Sequence, residues 1–62
     1  MKILLDGEEH NFREGMTVDS IMRQLGLDSE LYLPVKEGRL VPPDYRVKEG
    51  DVIEFRRVSQ GG

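Results

Sequence analysis

The sequence predicts an α+β fold in which one helix packs on one face of a small mixed sheet of four to five strands. One segment has the periodicity of an amphipathic helix, whereas apolar and polar residues alternate through most of the rest, as they do in strands. The chain has 62 residues, of which 37% are hydrophobic, and no cysteine. A chain of this length buries only about 60% of the surface that it exposes when unfolded, so its core must be small. A short helix therefore has to bury its apolar side against the sheet.

A hairpin is predicted at the start of the chain. The segment MKILLD alternates as a first strand, with Leu4 on its outer side. Asp6-Gly7 follows and accepts the positive φ angles of a tight turn. The second strand is predicted in HNFRE, with Phe12 as its core residue.

The helix is predicted between Thr17 and Gly26. Thr17 can accept a backbone N–H bond as the N-cap residue, and Gly26 supplies the left-handed residue that ends many helices. Four apolar side chains between them recur at helical spacing. They are Val18, Ile21, Met22 and Leu25.

The following segments are predicted to be extended or irregular. LYLPVKEGRLV forms a strand, a turn and a short return strand. Pro34 places that strand at a sheet edge or at a bulge, because proline has no N–H. PPDYR is an irregular crossing segment, and Tyr45 and Val47 pin it down as a satellite core.

The last strand is predicted in VIEFRRV. A hairpin, one helix and a last strand in this order are typical of the β-grasp fold. We expect residues 1–58 to form this domain and residues 59–62 to form a flexible Gly-Gly tail. Alternation along the last strand directs one set of side chains away from the core, namely Glu54, Arg56 and Val58.

Charge and composition narrow the classes of function. The net charge is −3, and among nine basic residues only Arg56 and Arg57 are adjacent, which argues against a nucleic-acid partner. No apolar run is long enough to span a membrane. His10 is the only histidine, so a metal site is not expected. These features favour a cytoplasmic protein that acts through another protein.

Four stretches carry a resemblance to a known family. GMTVDSIMRQLGL, GRLVPPD, VKEGDVIEF and the final GG have the order and spacing of the ThiS/MoaD family of ubiquitin-like sulfur carriers. The resemblance covers the whole chain, and the compact length and the LVP segment are more similar to ThiS.

The resemblance implies a protein co-substrate rather than an enzyme, with no bound cofactor. A ThiF/MoeB-like partner, related to ubiquitin-activating enzymes, would use ATP and Mg to adenylate the carboxylate of Gly62. A sulfur donor enzyme would then supply sulfur for a thiocarboxylate. A sulfur-accepting synthase would receive it, most plainly for the thiazole of thiamine.

Two groups of residues are therefore candidates for the site. Gly61 and Gly62 have no side chains and can enter a narrow channel, with Ser59 and Gln60 leading into it. A docking face on the sheet would offset the entropy lost when this tail is ordered. Its members are Leu4, Val35, Glu54, Arg56 and Val58, with Arg57 beside them.

Several alternatives stay open on the residues alone. The same carrier chemistry serves molybdopterin synthesis and tRNA thiolation in the family, and some relatives are ligated to lysines as protein modifiers. A non-covalent β-grasp interaction module is the alternative from a different class. Arg56 and Arg57 could steer a partner or could be ordinary exposed charges. The chain alone is expected to be a monomer.

Overall fold

The computed structural model describes residues 2–58. Within them, five strands form one sheet in the order β2-β1-β5-β3-β4, and one helix covers one face. Strands β1 and β5 are parallel, and the other neighbours are antiparallel. The predicted β-grasp architecture is confirmed. The elements are β1 Lys2–Leu5, β2 Glu8–Asn11, α1 Val18–Leu25, β3 Tyr32–Lys36, β4 Arg39–Leu40 and β5 Val52–Arg57.

The first hairpin turns through Asp6 and Gly7, whose φ angles are 49° and 81°. Positive φ at both positions is the geometry of the two-residue hairpin turn expected for Asp-Gly. The predicted bounds of the second strand are wrong, because this turn starts the pairing at Glu8 and Asn11 already lies opposite Lys2. Phe12 falls beyond the strand and packs, partly buried, against the core.

The helix α1 begins and ends where the sequence predicts. The Oγ1 atom of Thr17 accepts the backbone N–H of Ser20 at 3.2 Å. Gly26 ends the helix with φ 72°, and its own N–H bonds to the last turn. The apolar stripe faces the sheet, with Val18 and Ile21 completely buried.

Strand β3 is an interior strand, so the prediction of an edge at Pro34 is wrong. Pro34 lies opposite Phe55 of β5 in a continuous register, which leaves no bulge at this position. Its carbonyl accepts the N–H of Val41 at 3.1 Å, on the side of β4. Strand β4 has only two residues and ends before Pro34 would have to donate a hydrogen bond to it.

The core lies between α1 and the sheet. Val47 is 1% exposed and belongs to this central core rather than to a satellite. Its N–H donates to Met16, and its carbonyl accepts from Gly15, so the crossing segment is tied to the start of the helix. Tyr45 is partly buried and packs against the same central core, so it too is not part of a satellite. The buried apolar set is Ile3, Val18, Ile21, Met22, Val47, Ile53 and Phe55.

Candidate docking face

The side of the sheet opposite α1, here called the outer face, brings together four of the predicted docking residues. Leu4 of β1 and Val35 of β3 both lie opposite Glu54, which sits between them on β5. Arg56 is the next outward residue of β5 and lies opposite Leu33. These four residues therefore share one face, as alternation predicted, and their binding role stays a prediction.

Three exposed apolar residues extend the outer face beyond the predicted set. Leu33, Leu40 and Val52 are 40%, 65% and 45% exposed. Leu40 lies opposite Val35, and Val52 lies opposite Lys2. Leu33 lies on the same side of β3 as Val35, and Val52 lies on the same side of β5 as Glu54. The alternation that predicted Val35 and Glu54 on this face therefore also predicts Leu33 and Val52. Leu40 required the register of β4, which local sequence does not supply.

The charges on the outer face are paired with one another. Lys2 Nζ lies 3.3 Å from Glu9 Oε1, and Arg56 Nε lies 3.0 Å from Glu54 Oε1. Exposed pairs of this kind contribute at most about 1 kcal/mol to stability. Because Arg56 pairs with Glu54, its positive charge is neutralised locally. Strand alternation places Arg57, opposite Tyr32, on the helix side of the sheet, so the two adjacent arginines serve different surfaces.

A polar network that sequence reasoning missed lies at the end of the sheet where β5 begins. Asp51 is 8% exposed. Its carboxylate accepts the Tyr45 hydroxyl at 2.7 Å and the Lys48 backbone N–H at 2.8 Å. Lys36 Nζ lies 2.9 Å from the same carboxylate and 3.0 Å from the Tyr45 hydroxyl oxygen. Every oxygen of this buried carboxylate therefore has a partner.

The network sets the charge states of its members. Burial by itself raises the pKa of Asp51, but hydrogen bonds from Tyr45, Lys36 and the Lys48 backbone outweigh it and lower the pKa to about 2. The hydrogen bonds of Lys36 with Tyr45 and Asp51 raise the pKa of its ammonium. The pair is therefore fully ionised at neutral pH and holds β3 against the start of β5.

A groove of about 440 Å³ runs over this end of the outer face. Leu4, Val35 and Val52 form its apolar wall, and Lys36 and Asp51 lie at its end. Lys36 and Asp51 line the groove and also form the ion pair of the polar network. The network therefore fixes the shape of part of the candidate docking face.

The tail residues Ser59, Gln60, Gly61 and Gly62 lie outside the described residues, and their roles stay predictions. The last described residue, Val58, donates its N–H to the Leu31 carbonyl at 2.7 Å. Backbone hydrogen bonding between the β5 side and the β3 side of the sheet thus continues one residue past the end of β5.

Residues 2–58 hold no group of three or more potential metal ligands. Nε2 of His10 is 3.7 Å from a Glu8 carboxylate oxygen, too far for a hydrogen bond. The helix found in this range is not long and apolar enough to cross a membrane.

Comparison with known proteins relates the chain to a protein family and to a curated protein. The model of the ThiS family matches residues 2–62. A thiazole synthase of Paramagnetospirillum magneticum (strain ATCC 700264 / AMB-1) is 33% identical over 66 residues, which cover 100% of this chain and 20% of that protein. The chain therefore spans about a fifth of the length of this curated relative.

Proposed function

The chain belongs to the ThiS family, and from that premise we propose that it is a sulfur carrier protein for the synthesis of the thiamine thiazole. It acts as a co-substrate of partner enzymes and is not itself an enzyme. The observation that carries this proposal is the family match, which runs from residue 2 to residue 62 and so includes both final glycines. The similarity to a protein named thiazole synthase favours the thiazole as the destination of the sulfur.

The reactive group of the proposal is the carboxyl group of Gly62. A free terminal carboxylate has a pKa of about 3.3–3.7, so it is ionised at neutral pH and is a poor electrophile. On an adenylating partner the carboxylate attacks the α-phosphorus of ATP and pyrophosphate leaves. The resulting acyl-adenylate is a good electrophile, because it carries a leaving group in place of the negative charge. Hydrosulfide supplied by a donor enzyme then attacks the acyl carbon, AMP leaves with the bonding electrons, the S–H proton is lost to solvent, and the carrier ends in a thiocarboxylate. ATP and Mg belong to the partner.

The length of the tail supports this division of labour. Four residues beyond Val58 span at most about 13–14 Å, which is enough to reach from a docked domain into a neighbouring active site. Gly61 and Gly62 carry no Cβ, so a narrow channel can accept them and the acyl carbon is open on both faces. The proposal requires that the carboxyl group of Gly62 is free in the working protein.

The outer face supplies the docking surface for a ThiF/MoeB-like adenylating enzyme. Interface centres are depleted in unpaired charge and favour apolar contact. The outer face meets this description, because Leu33, Leu40 and Val52 are exposed while its charged residues pair with one another. The same face is available to a sulfur-accepting synthase.

The test is an intact-mass measurement after incubation with the adenylating enzyme, Mg-ATP and a sulfur donor. We expect a mass gain equal to the replacement of one oxygen by sulfur, located by fragmentation at Gly62. The matched control is the chain extended by one alanine after Gly62, which should fold equally well and gain nothing. An unchanged mass, with the enzyme active on another carrier, would favour a non-covalent interaction module. The thiazole assignment is tested by transfer of the sulfur in a thiazole synthase assay.

A further inference from the structure

The outward residues of β5 and the residue that follows the strand form a self-complementary series. They are Val52, Glu54 and Arg56 of β5 and then Val58, which continues the alternation one residue past the strand, that is, apolar, acidic, basic and apolar. When such a series meets a second copy running in the opposite direction, acid lies over base and valine lies over valine. We infer that the outer face binds a second copy of this chain in a two-fold symmetric dimer.

The symmetry follows from the strand register. A two-fold axis lying in the interface, perpendicular to β5 and passing over Phe55, exchanges position 54 with position 56 and position 52 with position 58. On the neighbouring strand, Val35 lies opposite Glu54 and Leu33 lies opposite Arg56. The same axis therefore sets Val35 of one copy over Leu33 of the other. An isologous interface needs this property, since each contact must occur twice.

The charges favour this arrangement over others. Glu54 and Arg56 are 3.0 Å apart within one copy, and both side chains remain substantially exposed. In the dimer two such pairs form an alternating network of four charges, so neither sign meets its like. A parallel arrangement would set Glu54 over Glu54 and is disfavoured.

The size of the face predicts a weak dimer. Five strands spaced by about 4.8 Å and a longest strand of about 20 Å give a face of roughly 400–500 Å² per copy. The total of about 800–1,000 Å² lies below the size of stable interfaces. We therefore expect association at high concentration and a monomer on dilution. Because the dimer covers the face that we propose for the adenylating enzyme, that enzyme would compete with it.

The test is sedimentation equilibrium of the chain alone, from about 10 μM to about 1 mM, a range that detects weak association. We expect the average mass of the unmodified chain to rise toward that of a dimer. Glu54→Arg and Arg56→Glu, each alone, should remain monomeric, because like charges then face each other. An equimolar mixture of the two variants should associate again, because every contact becomes acid against base.

Arg23→Glu is the matched control, since it reverses an exposed charge on α1 and should associate like the unmodified chain. Far-UV circular dichroism checks that each variant is folded. A monomer at every concentration would overturn the inference, and so would single variants that associate as well as the unmodified chain or a mixture that does not associate. The measurement contains no partner enzyme, so its failure would leave the proposed sulfur-carrier function untouched.

Discussion

The ammonium of Lys36 lies 2.9 Å from the carboxylate of Asp51, and the Tyr45 hydroxyl bridges the two. The three side chains come from β3, from the turn before β5 and from the crossing segment. Because the Asp51 side chain is only 9% exposed, water cannot replace the partners that it would lose. The network is therefore a structural link between three parts of the chain.

Asp51→Asn should destabilise the fold. The amide cannot balance the Lys36 charge and cannot accept every hydrogen bond that the carboxylate accepts. We expect the free energy of unfolding to fall by about 1–3 kcal/mol, as measured by urea denaturation. The control is Glu49→Gln, a nearby exposed acid, for which a change within about 0.5 kcal/mol is expected. Equal effects of the two substitutions would contradict a structural role of the network.

The same carboxylate predicts how stability depends on pH. The pKa of Asp51 is about 2 in the folded protein, below the value of about 3.9 in an unfolded chain. Its ionised form therefore stabilises the fold above pH 4, and this contribution is lost as the pH falls from about 4 to about 2. The pKa of Lys36 is raised, so its contribution to stability has the opposite pH dependence and is lost only in strong alkali.

Urea titrations of the parent chain and of Asp51→Asn between pH 2 and pH 7 would test this dependence. The difference in unfolding free energy between them should be constant above pH 5 and should shrink below pH 4. A difference that stays constant down to pH 2 would show that the charge of Asp51 is not the cause.

Local chemistry predicted the parts of the fold that depend on neighbouring residues. Asp6-Gly7 turns the first hairpin, and Thr17 and Gly26 bound the helix, because each acts on a backbone a few residues away. The bounds of β2 were predicted wrongly, because the turn at Asp6-Gly7 sets the register between β1 and β2 and the apolar Phe12 does not. The error at Pro34 has a nonlocal cause, since a strand of two residues adds to β3 without needing the missing N–H.

The outer face was predicted in part, and the polar network was not predicted at all. Alternation identifies which side of a strand is outward, which was enough for Leu4, Val35 and Glu54. It does not say that β3 lies beside β5, and only that neighbourhood brings Lys36 to Asp51. In VKEGDVIEF, nothing local distinguishes the buried Asp51 from the exposed Glu49.

The N-cap of α1 gives a further stability prediction. The Thr17 side chain accepts the Ser20 N–H and satisfies one of the unpaired donors of the first turn. Thr17→Ala should therefore lower the free energy of unfolding by about 1 kcal/mol in thermal or urea unfolding. Thr17→Ser retains the oxygen and should change it little. If both variants lose the same stability, the methyl group and not the cap is responsible.

The turn between β3 and β4 contains a strained residue that can be relieved. Glu37 has φ 51° and precedes Gly38 at φ 78°, so a residue with a Cβ occupies the left-handed region. Glu37→Asn should raise the free energy of unfolding by about 0.5–1 kcal/mol, because Asn tolerates this region and Asn-Gly is a favoured hairpin pair. Asp6→Asn is the control and should be nearly neutral, since Asp already suits its turn. A loss of stability for Glu37→Asn would mean that the Glu37 side chain makes a compensating contact.

Leu40 offers the clearest test of the docking face, because it is 65% exposed on a two-residue strand and carries little of the core. Leu40→Asp should leave the free energy of unfolding within about 0.5 kcal/mol. It should weaken docking to the adenylating enzyme, since it places a charge in an apolar contact. That contact is equally present before and during the chemical step, so KM should rise by about tenfold while kcat is unchanged.

The control for Leu40 introduces the same charge on the opposite side of the molecule. Gln24 is exposed on α1, and Gln24→Asp should leave KM and kcat as they are. Steady-state adenylation, followed by pyrophosphate release, measures both constants. If Gln24→Asp raises KM and Leu40→Asp does not, the partner docks on the helix side of the domain. If Leu40→Asp lowers kcat instead, the outer face contributes to placing the tail in the active site as well as to binding, because only an interaction specific to the transition state changes kcat.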